Sequence, residues 1–447
     1  MSSLPSFANI RKFSRKKKIQ FFVNISVGII IAVSFHFLEN TDWGESTINT
    51  AFDFVIRREA EKSAATAADL TIQRSARVSD RIIFLEIDDA TYRKWGNPLL
   101  TPRKKLSDLV KLASDGGAKV IILDVLLEDT DCCNPEGDTE LRSVLQEMTK
   151  NRLPVRIIFP VRVGQDGVFP KRNLYEDLIV SNPNFYHATA NFSATATDRV
   201  IRYWVPFEYE RFGERDTIIW NISFLAAMLY EGKEGDMQKL ASQIRNGAFH
   251  KARQFDLRNS ATIAISPDRE DIYRNRIRFL LIPKRTLPHY HEGNLFDAAY
   301  GADEAKHAAF EDKLVIIGNS SSDVGDIHPT PIGTMAGMFI IGNAINTILS
   351  GIQPSHPPIL LNLLIEAFII MLAGFLFLYF HSFLAQILGS TLLILPLVIF
   401  GYWYFLYTGV FLNFMFAVVG MSFHRIVSNI EEIIHNRGAS IIDIGKK

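Results

Sequence analysis

Cysteine is nearly absent: the 447-residue chain holds two, Cys132 and Cys133, side by side in DTDCCNPEGD. Two thiols cannot build a disulfide scaffold, and adjacency excludes the usual zinc frames, which need about two or more residues between paired ligands. The pair reads either as loop thiols without chemistry or as a redox or intermolecular bridge, and its acidic surroundings argue against an activated thiolate. An excess of either charge is missing too: 48 Lys and Arg balance 48 Asp and Glu. Nucleic-acid binding rests on neutralising phosphates with a basic face, so no nucleic-acid partner is expected. No GK[ST] tripeptide occurs, which removes a P-loop.

Charge is also missing locally. FFVNISVGIIIAVSFHFL (21–38) has none, and residues 357–420 carry only Glu366. The first stretch follows six basic residues, Arg11, Lys12 and Arg15 to Lys18, which suit anionic lipid headgroups. It matches the roughly 17 to 25 residues that cross a bilayer. No A-x-A-like cleavage site follows, so residues 19–38 read as an uncleaved anchor. The second stretch breaks at HSF (381–383) and YTG (407–409), giving spans at about 359–380, 383–405 and 409–424. The positive-inside rule then predicts a multi-pass protein of a bacterial cytoplasmic membrane. Residues 1–18 and the tail 425–447 are cytoplasmic in this scheme, 357–424 hold three helices, and 39–356 lie outside.

That external part alternates strand-like and helix-like patterns. RIIFLEID (81–88) precedes a helix starting at Thr101 and Pro102 and stopping at Gly116 and Gly117, then the continuous apolar run KVIILDVLL (119–127). Such runs are buried on both faces, and the three pieces make one βαβ unit. A helix near 139–150, strands at 155–163, 185–192 and 200–209, a helix at 219–231 and strands at 277–283 and 313–319 continue the pattern. The fold class expected is a layered α/β extracytoplasmic domain with a largely parallel or mixed sheet, plus four transmembrane α-helices. Residues 57–80, polar and Ala-rich, read as a membrane-proximal helix or a flexible link.

Six segments in order resemble one family. They are FDFVIRR (52–58), IDDATYRKWGNPLLTPR (87–103), GAKVIILDVLLED (117–129), DRVIRYWVP (198–206), KLVIIGN (313–319) and the loop through TPIGTMAG (330–337). Together with three spans after the domain, they are similar to the cyclase and histidine-kinase associated sensory extracellular (CHASE) domain of type two. The resemblance covers roughly residues 40–425. It implies a sensory role. The chain departs from the family at Gly342, where a His is usual, and at LIPKR (281–285), which lacks the usual N-Y-R-G-like run. Members commonly continue into a catalytic domain, and here about two dozen residues follow the last span. An unidentified output protein is therefore expected as a partner.

Chemistry concentrates where strands end in polar residues. In open α/β sheets ligands collect beyond the carboxyl ends of strands. The candidates for ligand binding are Asp88, Asp89, Arg103, Asp124, Asn319, Ser320, Asp326, His328 and Thr330. The same residue types cap helices and set turns, which is the competing reading. GNSSS (318–322) matches a small-x-Ser-x-small pattern that would make Ser320 a nucleophile, but Pro329 and Pro331 oppose the helix that such an elbow needs. PHYHEGNLFD (288–297) clusters His289, His291 and Glu292. Without distant ligands it reads as a solvated loop. Glu366 is the candidate for transmembrane coupling, through a hydrogen bond to His36, Gln386 or Asn413, with a proton pathway as the alternative.

The expectation is a membrane sensor that binds a small ligand or an envelope protein and biases its spans by differential affinity. No catalytic residue, cofactor or metal is assigned, and a homodimer is compatible with the layout. The alternatives are an assembly subunit of an envelope complex and, more weakly, an external serine hydrolase.

Overall fold

The computed structural model describes residues 41–67, 80–131, 134–150, 154–162, 173–212, 215–246, 253–256, 262–265, 274–281, 289–291, 310–324, 326–379 and 395–412, with isolated positions between 22 and 38. Two compact units divide the chain, one of residues 53–354 and the other of residues 1–52 with 355–447. Helix α1 (Asp42–Ala67) comes first. It resolves the start of the 57–80 segment as helix, and residues 68–79 lie outside the described residues. Within the larger unit α1 buries Ile56, Ala60 and Ala64, every fourth residue, which is the single stripe of a helix packed on one side.

Strands β1 (Ile82–Ile87), β2 (Val120–Asp124), β3 (Arg156–Pro160) and β4 (Phe185–Ala188) follow, with helices α2 (Asp89–Lys94), α3 (Arg103–Asp115), α4 (Pro135–Lys150) and α5 (Glu176–Ser181) between them. Next come β5 (Phe192–Ala194), β6 (Ile201–Trp204), the hairpin of β7 (Phe207–Phe212) and β8 (Arg215–Trp220), α6 (Ile222–Glu231) and α7 (Glu234–Arg245). A hairpin of β9 (Arg253–Asp256) and β10 (Thr262–Ile265), then β11 (Asn275–Arg276), β12 (His289–His291) and β13 (Leu314–Asn319), lead to the hairpin of β14 (Ile327–Thr330) and β15 (Gly333–Ala336). That hairpin runs directly into α8 (Gly337–Ser350).

The main sheet has the order β12-β1-β13-β2-β3-β4, and every adjacent pair is parallel. The largely parallel sheet expected from the apolar runs is therefore present. β13, the last of its strands in sequence, occupies a central place between β1 and β2. Alternation within IIFLEI sets the layers: Ile83, Leu85 and Ile87 join Leu106, Leu109, Val110, Leu141 and Leu145 of α3 and α4 in one core. Phe84 points to the opposite face, its ring 5.1 Å from that of Phe339 in α8, and α6 packs beside α8 there. Burying each such aliphatic side chain contributes roughly 1.5 to 3 kcal/mol, which is what holds three layers together. Gly342 lets α8 approach the sheet, because a Cβ there would overlap the Phe84 ring.

Two expectations need correction. The run IRFLLIP was read as a strand, but residues 277–281 form no ladder. Instead the Arg278 N–H donates to Thr347 Oγ1 at 2.9 Å and the Leu280 and Leu281 N–H groups both donate to Asn343 Oδ1 at 2.8 Å. Side chains of α8 satisfy backbone donors that a neighbouring strand would otherwise take. HYH was read as part of a loop and is β12, an edge strand in register with Phe84 to Glu86. Past the hairpin, GMFIIGNAINTILS is the buried helix α8.

In the smaller unit the described helices are α9 (Ile359–Tyr379) and α10 (Leu395–Thr408). The Phe52 ring lies 4.2 Å from Phe411 and 5.1 Å from His356, and a parallel bridge joins Ser355 to Val410. Glu366 accepts a hydrogen bond from Asn362 Nδ2 at 3.1 Å, one turn earlier on α9. The proposed partners His36, Gln386 and Asn413 lie outside the described residues, as do Cys132 and Cys133. Among the described residues no helix is long and apolar enough to cross a membrane. Residues 380–394 and most of the expected fourth span are outside those residues, so the four spans rest on the sequence alone.

Candidate functional site

Parallel pairing brings the carboxyl ends of β1, β13 and β2 to one edge of the sheet. Register places Glu86, Gly318 and Asp124 in a row across the three strands. The polar strand ends picked out in the sequence therefore do converge. Asp88 follows β1 and caps α2, its carboxylate accepting the Thr91 N–H at 2.9 Å. Asp89 accepts from the N–H and hydroxyl of Ser322 at 2.8 and 3.0 Å. Those bonds hold its carboxyl below the usual range and tie the turn after β13 to the start of α2. Asn319 accepts the Ser321 N–H at 2.8 Å, closing an Asx turn.

After the turn that follows β13 comes the β14–β15 hairpin, where the sequence suggested only a loop. Pro329 sits within it, tolerated because a two-stranded ribbon leaves an N–H position that needs no ladder partner. Thr330 Oγ1 donates to the Gly333 carbonyl across the turn. Asp326 Oδ1 lies 2.9 Å from His328 Nε2, and the Asp326 carbonyl accepts the Gly337 N–H at 3.1 Å. The Asp326 carboxylate rests against Gly337, at the first residue of α8, where a Cβ would strike it. On the other side of that turn, a Cβ at Gly318 would fall 3.0 Å from Met338 Cβ and 3.1 Å from Asp124 Cβ. Two carboxyl groups thus flank the N-terminal turn of α8.

Their environments differ. Asp326 is half-exposed, and Asp124, though it keeps some solvent contact, is densely surrounded by protein. Burial pushes the Asp124 carboxyl up to about 7, and the Asp326 charge adds to the shift. Near neutral pH, Asp124 therefore exists both as a proton donor and as a carboxylate, beside an Asp–His pair. Such a site can recognise hydrogen-bonding or cationic groups and can exchange a proton.

Arg103 is not at this edge. Its buried guanidinium donates to the carbonyls of Thr101 and Asp129 at 3.1 and 3.3 Å and lies 3.5 Å from Asp138 of α4. It braces the loop after β2. Ser320 is at the edge, but its hydroxyl donates to Glu86, and the turn that follows is a short 3₁₀ segment, Ser322–Val324, then the hairpin. The strand–Ser–helix elbow is not formed, and His328 is engaged with Asp326. Among the described residues no group of three His, Cys, Asp or Glu side chains is placed to hold a metal ion.

Glu86 was not singled out in the sequence, although a charge inside a strand buried on both faces was its signal. A second cluster was missed altogether. Arg202 donates to Asp53 at 2.7 Å, to Asp198 at 2.6 Å and to Thr195 at 2.8 Å, and its bond holds the Asp198 carboxyl low. The Asp53…Arg57 and Asp198…Arg202 elements, far apart in sequence, thus meet. Arg278 and Glu59 form a buried ion pair with an Nε to Oε2 distance of 2.9 Å.

No curated protein and no solved structure matches the chain. The family model of the CHASE2 domain matches residues 26–379. With its strand-end edge, its returning central strand and these joined elements, the chain belongs to the CHASE2 family of extracellular sensory domains.

Proposed function

We infer that this protein is a membrane-bound receptor of the bacterial cytoplasmic membrane, with its α/β domain on the external side and both termini in the cytoplasm. A small ligand or an envelope protein binds at the edge formed by β1, β13 and β2. The bound state passes through the spans to a separate output protein, with Glu366 of α9 as the coupling group. No catalytic step is assigned to it. The observation that supports this reading is the β14–β15 hairpin: it carries Asp326, His328 and Thr330 and continues into α8 without a linker, and the first turn of α8 lies between Asp326 and the Gly318–Asp124 pair of the strand ends. A ligand that favours one placement of the hairpin shifts the population by its differential affinity and no more.

The test is to purify the full chain in detergent and identify what accompanies it by native mass spectrometry. The expected result is a bound small molecule whose removal lowers the melting temperature. A stoichiometric envelope protein with no small molecule would overturn the small-ligand form of the reading and favour an assembly subunit.

A further inference from the structure

Polar groups on both sides of the buried Ile56, Ala60 and Ala64 stripe seat α1 on the larger unit. Asp53, Arg57 and Glu59 each engage a different element: Asp53 takes Arg202 of β6, Glu59 takes Arg278 of the 277–281 segment, and Arg57 takes the hairpin. Arg57 Nε and Nη2 both donate to the Pro331 carbonyl, at 3.2 and 3.1 Å. Pro331 lies in the turn between β14 and β15. The next residue but one, Gly333, has φ +119°, a conformation that fixes the turn and that side chains other than glycine disfavour.

These contacts are not independent. The hairpin continues into α8, and α8 grips the 277–281 segment through Asn343 and Thr347. That segment presents Arg278 to Glu59, and the Ile277 N–H donates to the Arg202 carbonyl at 2.8 Å, which returns the chain of contacts to Asp53. A charged donor pair on one carbonyl is stronger than a neutral hydrogen bond and is lost by a small displacement of either partner. We propose that Arg57 is a latch through which the position of the β14–β15 turn sets whether α1 is held on the domain. The Glu59–Arg278 and Asp53–Arg202 pairs fix the register of the held state, the best-attested use of buried ion pairs. This extends the receptor reading by naming the element that takes its output within the domain, and it needs no ligand to be tested.

Hydrogen exchange of the full chain, followed by mass spectrometry, tests it from both sides of the contact. Arg57→Ala removes the donor while the two ion pairs remain. Gly333→Ala strains the turn without touching α1. Either variant is expected to speed exchange by about tenfold or more in both 53–67 and 327–336, the size of one charge-assisted hydrogen bond, while β13 keeps its protection. The double variant is expected to add little to either single one. Faster exchange confined to the altered element, with the other segment at its wild-type rate, would overturn the latch. So would full additivity in the double variant. Failure of the latch would leave the co-purification result intact, and loss of the receptor reading would leave this coupling in place.

Discussion

Asp124→Asn removes a pH dependence that the wild-type domain shows between about 4 and about 7. Asp124 has its carboxyl pushed from 3.8 up to about 7 by burial, with the Asp326 charge adding to it. Between those values the folded state holds a proton that the unfolded state has released. Stability therefore falls as pH rises through this window, and it is level above and below it. The slope has a ceiling of about 1.4 kcal/mol per pH unit, and residual solvent contact at Asp124 lowers it. The three carboxyls held low by hydrogen bonds, Asp89, Asp177 and Asp198, act in the opposite sense: their stabilisation is complete above 3.8 and is lost as pH falls further. Melting of the full chain across pH 3 to 8, wild type against Asp124→Asn, separates the two. The variant is expected to melt higher at pH 7 than wild type and to be flat from 4 to 7. Parallel curves for the two proteins would contradict the assignment.

The second large effect is expected at Glu59 and Arg278. Both are buried, so removing one leaves an uncompensated charge, a loss of roughly 3 to 5 kcal/mol. Arg278→Met alone and Glu59→Leu alone are each expected to lower stability by that amount. The double variant is expected to recover most of it, because two apolar side chains of similar size avoid the desolvation that the pair itself incurs. Chemical denaturation of the four proteins completes the cycle. Equal loss in the singles and the double, with no recovery, would mean that the pair is not coupled as the geometry indicates.

Much of the sheet was legible because its strands are apolar on both faces. KVIILDVLL read as a strand buried on both faces and KLVIIGN as a strand, and the polar residues Asp124, inside the first run, and Asn319, at the end of the second, marked the edge where they stand. The alternation of strands with amphipathic helices gave α3, α4 and α6 at close to their observed places. The hairpin was not legible, since IHPTPIGTMA lacks the alternation of a half-buried ribbon and its prolines read as a loop. IRFLLIP misled for a related reason: its burial is real, but side chains of α8 satisfy its backbone. The seating of α1 was hidden because its anchors are charges whose partners lie 149, 219 and 274 residues away, and no local period reports such pairs. Arg103 was placed at the site by its position at a helix start. Its guanidinium turns instead to the loop after β2.

Ligand capture by a receptor at the edge of β1, β13 and β2 is the proposal on which the rest depends. Its most direct measurement is hydrogen exchange of the full chain in bilayer nanodiscs, before and after adding the small-molecule fraction of an extract of the producing cells, with His328→Ala as the control. The expected result is new protection confined to residues 319–336 and 120–124 in the wild type, absent in His328→Ala. Protection that appears elsewhere on the domain, or that His328→Ala leaves unchanged, would contradict the account.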